Sequence, residues 1–507
     1  MSQASRIPKA AFLGLAGAGL FVAALDAYVV VTLLPAMIAD VGLTIDRFEQ
    51  ATPIVTGFLG GYLIAMPLLG AYSDVRGRIP IYVACLVAFA GGSLITATAG
   101  LWTFAGLPWL VGGRFVQGLG GGGLVPLSLA LAADLYRGRA RTLALGSVAA
   151  LQEAGSVFGP LYGATVGAAA VSMGGWRFVF WLNLPLAAIC GFGLVAAARR
   201  PTGVPETGTR SIDWLGAALL GVGLGLMVLA LYPDEPSVRA TNALFIPAGM
   251  ACVIALGAYG WRQARRLDPL IPRALLASRG FIGASVANLL IGGALIAALV
   301  DVPVLGRLVF SLNQLDSGLL LTQFLAGVPV GALLGGVAAG RVGSRLTAAF
   351  GLLLSTAAFL QMSGWGGNEL SLHIGPLRRA DVELAVCGLG FGLVIAPLTA
   401  AVLSLTRDQS HGLAASLVVL ARTIGMLVGL SVLTAFGLYR FHQILGSPVV
   451  TDPDLHARID HLARLVAAAF LQEYREIFRL AALMCAAAAA VVVVSLGSHG
   501  KARVPDG

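Results

Sequence analysis

Charge is what this chain holds least of. Only 11% of its 507 residues are charged, 58% are hydrophobic, and the mean hydropathy is +0.88. A water-soluble protein of this size needs a hydrated, charged surface, so the shortage excludes a soluble globular class and puts most of the chain in lipid. Cysteine is also scarce. Cys85, Cys190, Cys252, Cys387 and Cys485 fall in apolar runs without CxxC spacing, as small buried hydrophobes do, rather than disulfide or metal pairs. His-rich metal spacing, a nucleophile elbow and a phosphate loop are all missing, so no enzyme activity, metal or cofactor is expected. His373, His411, His442, His456, His461 and His499 lie in loops or outer segments and are expected to be solvated. The net charge is +9 and the pI about 9.7, yet no soluble basic patch carries interleaved aromatics, so nucleic acid is not an expected partner.

What the chain has instead is apolar runs of about 20 residues, long enough to span a bilayer. Fourteen are expected, near 10–35, 52–72, 79–99, 106–133, 142–170, 177–198, 211–232, 243–261, 280–305, 316–340, 345–364, 383–404, 410–438 and 474–497. Glycine is spread through them, as is usual in packed membrane helices. With the N-terminus inside, the inner loops hold 20 of the 33 Lys and Arg, from Arg6 and Lys9 to Lys501 and Arg503. That positive-inside bias places both termini in the cytoplasm. The first run follows a short basic start, but it is long for a signal peptide and leads into further spans, so it is expected to stay as a helix.

The runs divide into blocks. Residues 1–200 hold six spans, 201–279 form a linker with two more, and 280–507 hold the last six. The stretch 199–210 is polar, and a second basic stretch runs from Trp261 to Arg279. The blocks echo each other: Gly70 to Arg78 ends the second span of the first, and Gly336 to Arg345 ends the second span of the last. Duplicated halves are the signature of a two-domain transporter with its path between them. On the outside, residues 365–382 alternate polar and apolar around Gly375-Pro376, which leaves a short β-hairpin and an irregular loop both open. Residues 454–477 carry Leu455, Ile459, Leu462, Leu465 and Val466 at helical spacing, for an extended last helix or a surface helix.

Charges inside the spans are few and costly. Asp26 and Glu153 are carboxylates at depth, and Arg422 is the natural positive partner, so the three form a candidate proton-coupling set. Arg114 with Gln117 suits a buried hydrogen-bonded network, and Gly118 belongs to a glycine run that allows close packing. Asp301, near an outer helix end, is open between an interfacial and a functional role. Gly155, Gly159 and Gly163 share one helix face beside Pro160, suited to close approach and kinking. Asp74, Arg76 and Arg78, with Gly70 and Gly77, sit at an inner helix end, where charge pairing could lock one conformation.

The segments Gly70–Arg78, Arg114–Gly120, Gly155–Gly163, that around Asp26, and Gly175-Trp176-Arg177 through Asn183-Leu-Pro185 resemble the signature motifs of the fourteen-helix drug/proton antiporter branch of the major facilitator superfamily. The segments around Asp26, Gln152-Glu153, Arg422 and Gly437–Phe441 are similar to mycobacterial efflux transporters associated with a periplasmic lipoprotein and with triacylglyceride export. The resemblance implies an all-α membrane protein of major facilitator fold, with two six-helix bundles, two linker helices, a periplasmic β-hairpin and an extended last helix. It implies an inner-membrane, proton-coupled exporter of lipids or hydrophobic drugs with a periplasmic lipoprotein partner. In the loop motif one basic residue is shifted and one lost (Asp74-Val-Arg76-Gly77-Arg78-Ile79), and Gly340 replaces the acid of the second copy.

Overall fold

In lipid every backbone amide must be satisfied within the protein, so long apolar runs become helices. The computed structural model describes residues 9–40, 52–101, 106–169, 174–198, 213–233, 240–266, 269–366, 369–406, 410–445 and 455–496. The first six helices are α1 (Lys9–Asp40), α2 (Thr52–Arg76), α3 (Arg78–Thr98), α4 (Gly106–Leu135), α5 (Gly138–Ala169) and α6 (Trp176–Ala198). Two more follow, α7 (Trp214–Leu231) and α8 (Phe245–Arg265), then the short α9 (Arg273–Leu276). The last group comprises α10 (Arg279–Ile296), a π-helical turn Ala297–Asp301, α11 (Val302–Leu308), α12 (Gln314–Leu320), α13 (Thr322–Val342), α14 (Ser344–Met362), α15 (Arg379–Ser404), α16 (His411–Leu445) and α17 (Leu455–Ser495).

Among the described residues, thirteen helical segments are long and apolar enough to cross a membrane. The other expected span, α5, is one unbroken helix of 32 residues, but its Gly, Ser, Gln152 and Glu153 keep it less apolar than the rest. The polar linker 199–210 and the charges Arg6, Arg407, Lys501 and Arg503 lie outside the described residues.

Helices α1–α6 pack on one another, chiefly α2 and α3 on α4, α1 on α5, and α3 on α6. The group α10–α17 packs in the same way, chiefly α13 and α14 on α15, and α10 on α16 and α17. Two seams join the groups, α5 against α13 and α16 against α2 and α4. The α7–α8 pair covers the α2–α16 seam: Gly221 and Gly225 lie on Ile64, and the Ser431 hydroxyl donates to the Leu231 carbonyl at 2.5 Å. Asp213 caps α7 through the Gly216 amide at 3.0 Å and is paired with Arg262 and Arg266. Burial pushes its carboxyl up, but those donors outweigh burial and hold it below the usual carboxylate range.

Regular structure is present in the described parts of both stretches, 369–382 and 455–477. His373–Ile374 and Leu377–Arg378 pair antiparallel, His373 with Arg378 and Ile374 with Leu377, around Gly375 at φ 62°. Of the two open readings of this stretch the hairpin is the one found. The last helix begins at Leu455 and is 41 residues long, and α16 is 35. At ~1.5 Å per residue these reach about 60 and 50 Å, well beyond a hydrocarbon core of about 30 Å. The two extensions are joined by stacked Phe441 and Phe470, 4.4 Å apart, and by Arg440, which donates twice to the Glu476 carboxylate. The side chains of 455–463, including Leu455, Ile459, Leu462, His456 and His461, lie outside the described residues, as does His499.

Candidate functional site

Asp26 is 1% exposed, at the middle of α1. Its Oδ2 accepts from Arg114 Nη1 at 2.7 Å, and its Oδ1 from Asn183 Nδ2 at 2.7 Å. Gln117 Nε2 reaches both oxygens at 3.2 Å and donates to Ser93 Oγ at 2.7 Å. The Arg114 guanidinium carbon lies 4.3 Å from the Phe58 ring centre. One acid thus binds α1 to α4 and α6, and Ser93 of α3 joins the network through Gln117 and Asn183. A buried ion pair needs further hydrogen bonds. Gln117 and Asn183 supply them to the carboxylate, and Arg114 Nη1 also donates to Gln117 Oε1 at 3.0 Å, while Arg114 Nε is buried without a partner.

Glu153 and Arg422 form a second pair, Arg422 Nη2 to Glu153 Oε1 at 3.1 Å, with side chains 17% and 10% exposed. It joins α5 of the first group to α16 of the second. Tyr28 and Tyr62 lie within electrostatic reach of both charges, and Tyr28 is hydrogen-bonded to Ser156. Arg422 also lines a tightly closed cleft between the groups, with Gln152, Asn288 and Thr399 as its polar lining and Leu129 and Val418 among its apolar lining. The three charges expected to act together therefore divide. Glu153 and Arg422 meet, while Asp26 is held by Arg114. The helix period explains the split: Asp26 and Tyr28, about 200° apart on α1, face opposite sides.

A third cluster lies at the helix ends richest in arginine, the basic end. Asp74 Oδ1 accepts from the Gly412 amide at 3.0 Å and Oδ2 from the Leu413 amide at 2.9 Å, so an acid on α2 caps the N-terminus of α16 across the seam. Arg78 pairs with Asp74, donates to Asp134 Oδ2 at 3.0 Å and to Ser73 Oγ at 2.8 Å. Asp134 Oδ1 meets His411 Nδ1 at 2.6 Å, and His411 Nε2 lies 3.1 Å from Arg141 Nη2. The shifted basic residue of the loop motif is accounted for: Arg78, buried, supplies the charge, while Arg76 is exposed. Gly77 and Gly343 hold matching left-handed backbones, φ 92° and 94°, so the echo in the sequence is an echo in structure.

Close approaches follow the same duplication. A Cβ at Gly70 would stand 2.7 Å from the Gly412 carbonyl oxygen, and one at Gly336 would stand 2.7 Å from the Thr142 carbonyl oxygen. Gly155, Gly159 and Gly163 face α1, where a Cβ would meet Phe21, Leu25 and Thr32. That glycine face and Pro160, whose carbonyl accepts from Thr32 Oγ1 at 3.2 Å, thus fix α5 to its own group, and Gly146 makes the approach to α13. Gly118 packs α4 on the Phe58 carbonyl of α2.

His411 corrects its expected solvation. It is fully buried because the α16 terminus is drawn against α2 and α4. Asn183 and Asp134 were not singled out as site residues. A lone Asn inside an apolar run and a lone acid at a span end were the available signals. Nothing local marked His411, since its partners are 277 and 270 residues away.

The Major Facilitator Superfamily family model matches residues 16–430. A triacylglyceride transporter of Mycolicibacterium smegmatis is 39% identical over 502 residues, covering 95% of this chain and 86% of that protein. One of Mycobacterium tuberculosis is 38% identical over 496 residues, covering 95% and 94%. Among solved structures, a human organic anion transporter is similar with a TM-score of 0.62 at 17% identity, covering 94% of this chain and 100% of that one. A proton:xylose symporter gives 0.57 at 15%, covering 95% and 94%. Two helix groups meeting along two seams, duplicated glycine turns and the family match together show that the chain belongs to the Major Facilitator Superfamily of membrane transporters.

Proposed function

We propose that this protein is an inner-membrane exporter of triacylglyceride-like lipids and hydrophobic drugs, driven by protons through alternating access. Residues 1–200 and 280–507 are the moving bodies, residues 201–279 the linker, and α5 the remaining span of fourteen. The positive-inside bias supports placing the basic end and both termini in the cytoplasm and the hairpin outside. The contacts at the basic end then describe a form sealed toward the cytoplasm.

The observation that carries this reading is the Glu153–Arg422 pair, the one ion pair among those described that joins the two groups at depth. An Arg keeps its charge, so Glu153 is the member that can take a proton. Ionised, it holds α5 to α16. Protonated, it leaves Arg422 beside Gln152, Asn288 and Thr399, and the seam is free to open. The lipid cargo is supported by the relatives named triacylglyceride transporters. The hairpin and the joined extensions of α16 and α17 are the proposed landing place for a carrier lipoprotein.

The test is transport in proteoliposomes of a labelled triacylglyceride and of a cationic dye, with and without a proton gradient. Wild type should move the lipid faster with the gradient. Glu153→Gln should lose that stimulation by about tenfold or more, the equivalent of ~1.4 kcal/mol. Dye transport without lipid transport would leave a general multidrug antiporter. Transport indifferent to the gradient would remove the coupling.

A further inference from the structure

The mechanism above leaves two acids unused on packed elements, Glu473 buried and Asp301 half-buried. Asp301 ends the π-helical turn between α10 and α11, and Glu473 lies on α17, which packs against that turn. The two carboxylates are within electrostatic reach of each other, and Tyr474 is within reach of both. Glu473 is 8% exposed. Its Oε1 lies against Gly437 of α16, where a Cβ would collide with it, and its Oε2 is buried with no hydrogen-bond partner. No basic side chain pairs with either acid among the described residues. The cations on neighbouring elements are committed or turned out: Arg440 binds Glu476, Arg475 donates to the Trp365 carbonyl, and Arg307 on α11 is exposed. The titratable side chain of α10 is Arg279, at the far end of that helix.

Position adds the direction. A Cβ at Gly283 would collide with Ser495, so these two residues are level at the basic end. From that contact Asp301 lies 18 residues beyond Gly283 along α10 and its π-turn, and Glu473 lies 22 residues back from Ser495 along α17. The acids therefore sit about 27 and 33 Å away at ~1.5 Å per residue, about one helical turn apart in height and near the outer edge of the hydrocarbon. Two carboxylates within electrostatic reach of each other and without a cation cannot both stay ionised in such a place. A π-turn is a rare element that recurs at functional sites.

We propose that Asp301 and Glu473 form a second proton-binding site, at the outer mouth of the α10–α17 group, in which the two carboxyls share a proton. The unpartnered Oε2 is the atom that a shared proton would satisfy. In the exporter cycle, on which this further role rests, the site would load protons from the outer side ahead of Glu153.

The test uses the full-length protein in detergent and needs no transport. Dicyclohexylcarbodiimide forms a stable adduct with protonated carboxyls in apolar surroundings. Peptide mapping near neutral pH should find the adduct on Asp301 or Glu473, falling several-fold at alkaline pH. Glu473→Gln should abolish that pH dependence, with elution as a folded monodisperse species checking the variant. Wild-type protein with neither acid labelled, or labelled equally at both pH values, overturns the proposal. Labelling as expected in a protein whose transport ignores the proton gradient would keep the site and overturn only the coupling.

Discussion

Asp26 and Glu153 are both acids at depth, yet their surroundings ask different things of them. Asp26 neutralises a guanidinium that is 1% exposed, so its removal strands Arg114 without a counter-charge. Stranding one member of a buried pair costs about 3–5 kcal/mol, whereas removing both members costs far less. Asp26→Asn is therefore expected to lower the melting temperature clearly, and Asp26→Asn with Arg114→Gln to restore much of it, measured by thermal unfolding in detergent. Equal melting of all three proteins would contradict the assigned role. Glu153, part exposed and beside a cavity, should tolerate Gln with little loss of stability. The sequence made both acids and Arg422 legible, because charge inside an apolar run stands out. It did not show which acid meets which cation. That is set by which side of α1 faces inward and by contacts between residues hundreds of positions apart.

At the scale of elements, thirteen of the fourteen expected spans were legible, because lipid forces apolar runs into helices, while α5 forms a helix that is less apolar than the others. The hairpin stayed undecided in sequence because four paired residues carry almost no periodic signal. The duplicated turn was legible through Gly77 and Gly343, and so was its asymmetry. Asp74 caps α16, whereas Gly340 stands in the matching place and lies against Arg139 and Thr142 near the start of α5. The closed form is thus held by one charged cap where symmetry has room for two. Gly340→Asp should supply the second. A carboxylate at a helix N-terminus contributes about 1 kcal/mol, so cargo export should slow by roughly fivefold. The measurement is the initial rate in proteoliposomes, and an unchanged or faster rate would count against the cap as a lock.

At the scale of the whole molecule, the basic end is closed, the middle is bridged among the described residues by the Glu153–Arg422 pair, and the far end carries a hairpin and two joined helices. Export of a lipid needs apolar cover once the cargo leaves the bilayer, since exposing acyl chain costs ~0.8 kcal/mol per CH₂. Replacing residues 372–379 with a Gly-Ser linker is expected to reduce lipid export several-fold and spare a small dye. Equal loss of both would assign the hairpin to folding rather than to handover. The central claim is that protonation of Glu153 unties the two groups, and distance can be read directly. The five native cysteines are buried, so single cysteines placed at exposed Arg76 and Arg341, on the basic ends of α2 and α13, accept spin labels selectively. Electron–electron resonance should find one short distance in the protein with Glu153 and a longer component in Glu153→Gln. A distance distribution that ignores the Glu153→Gln substitution would contradict the account.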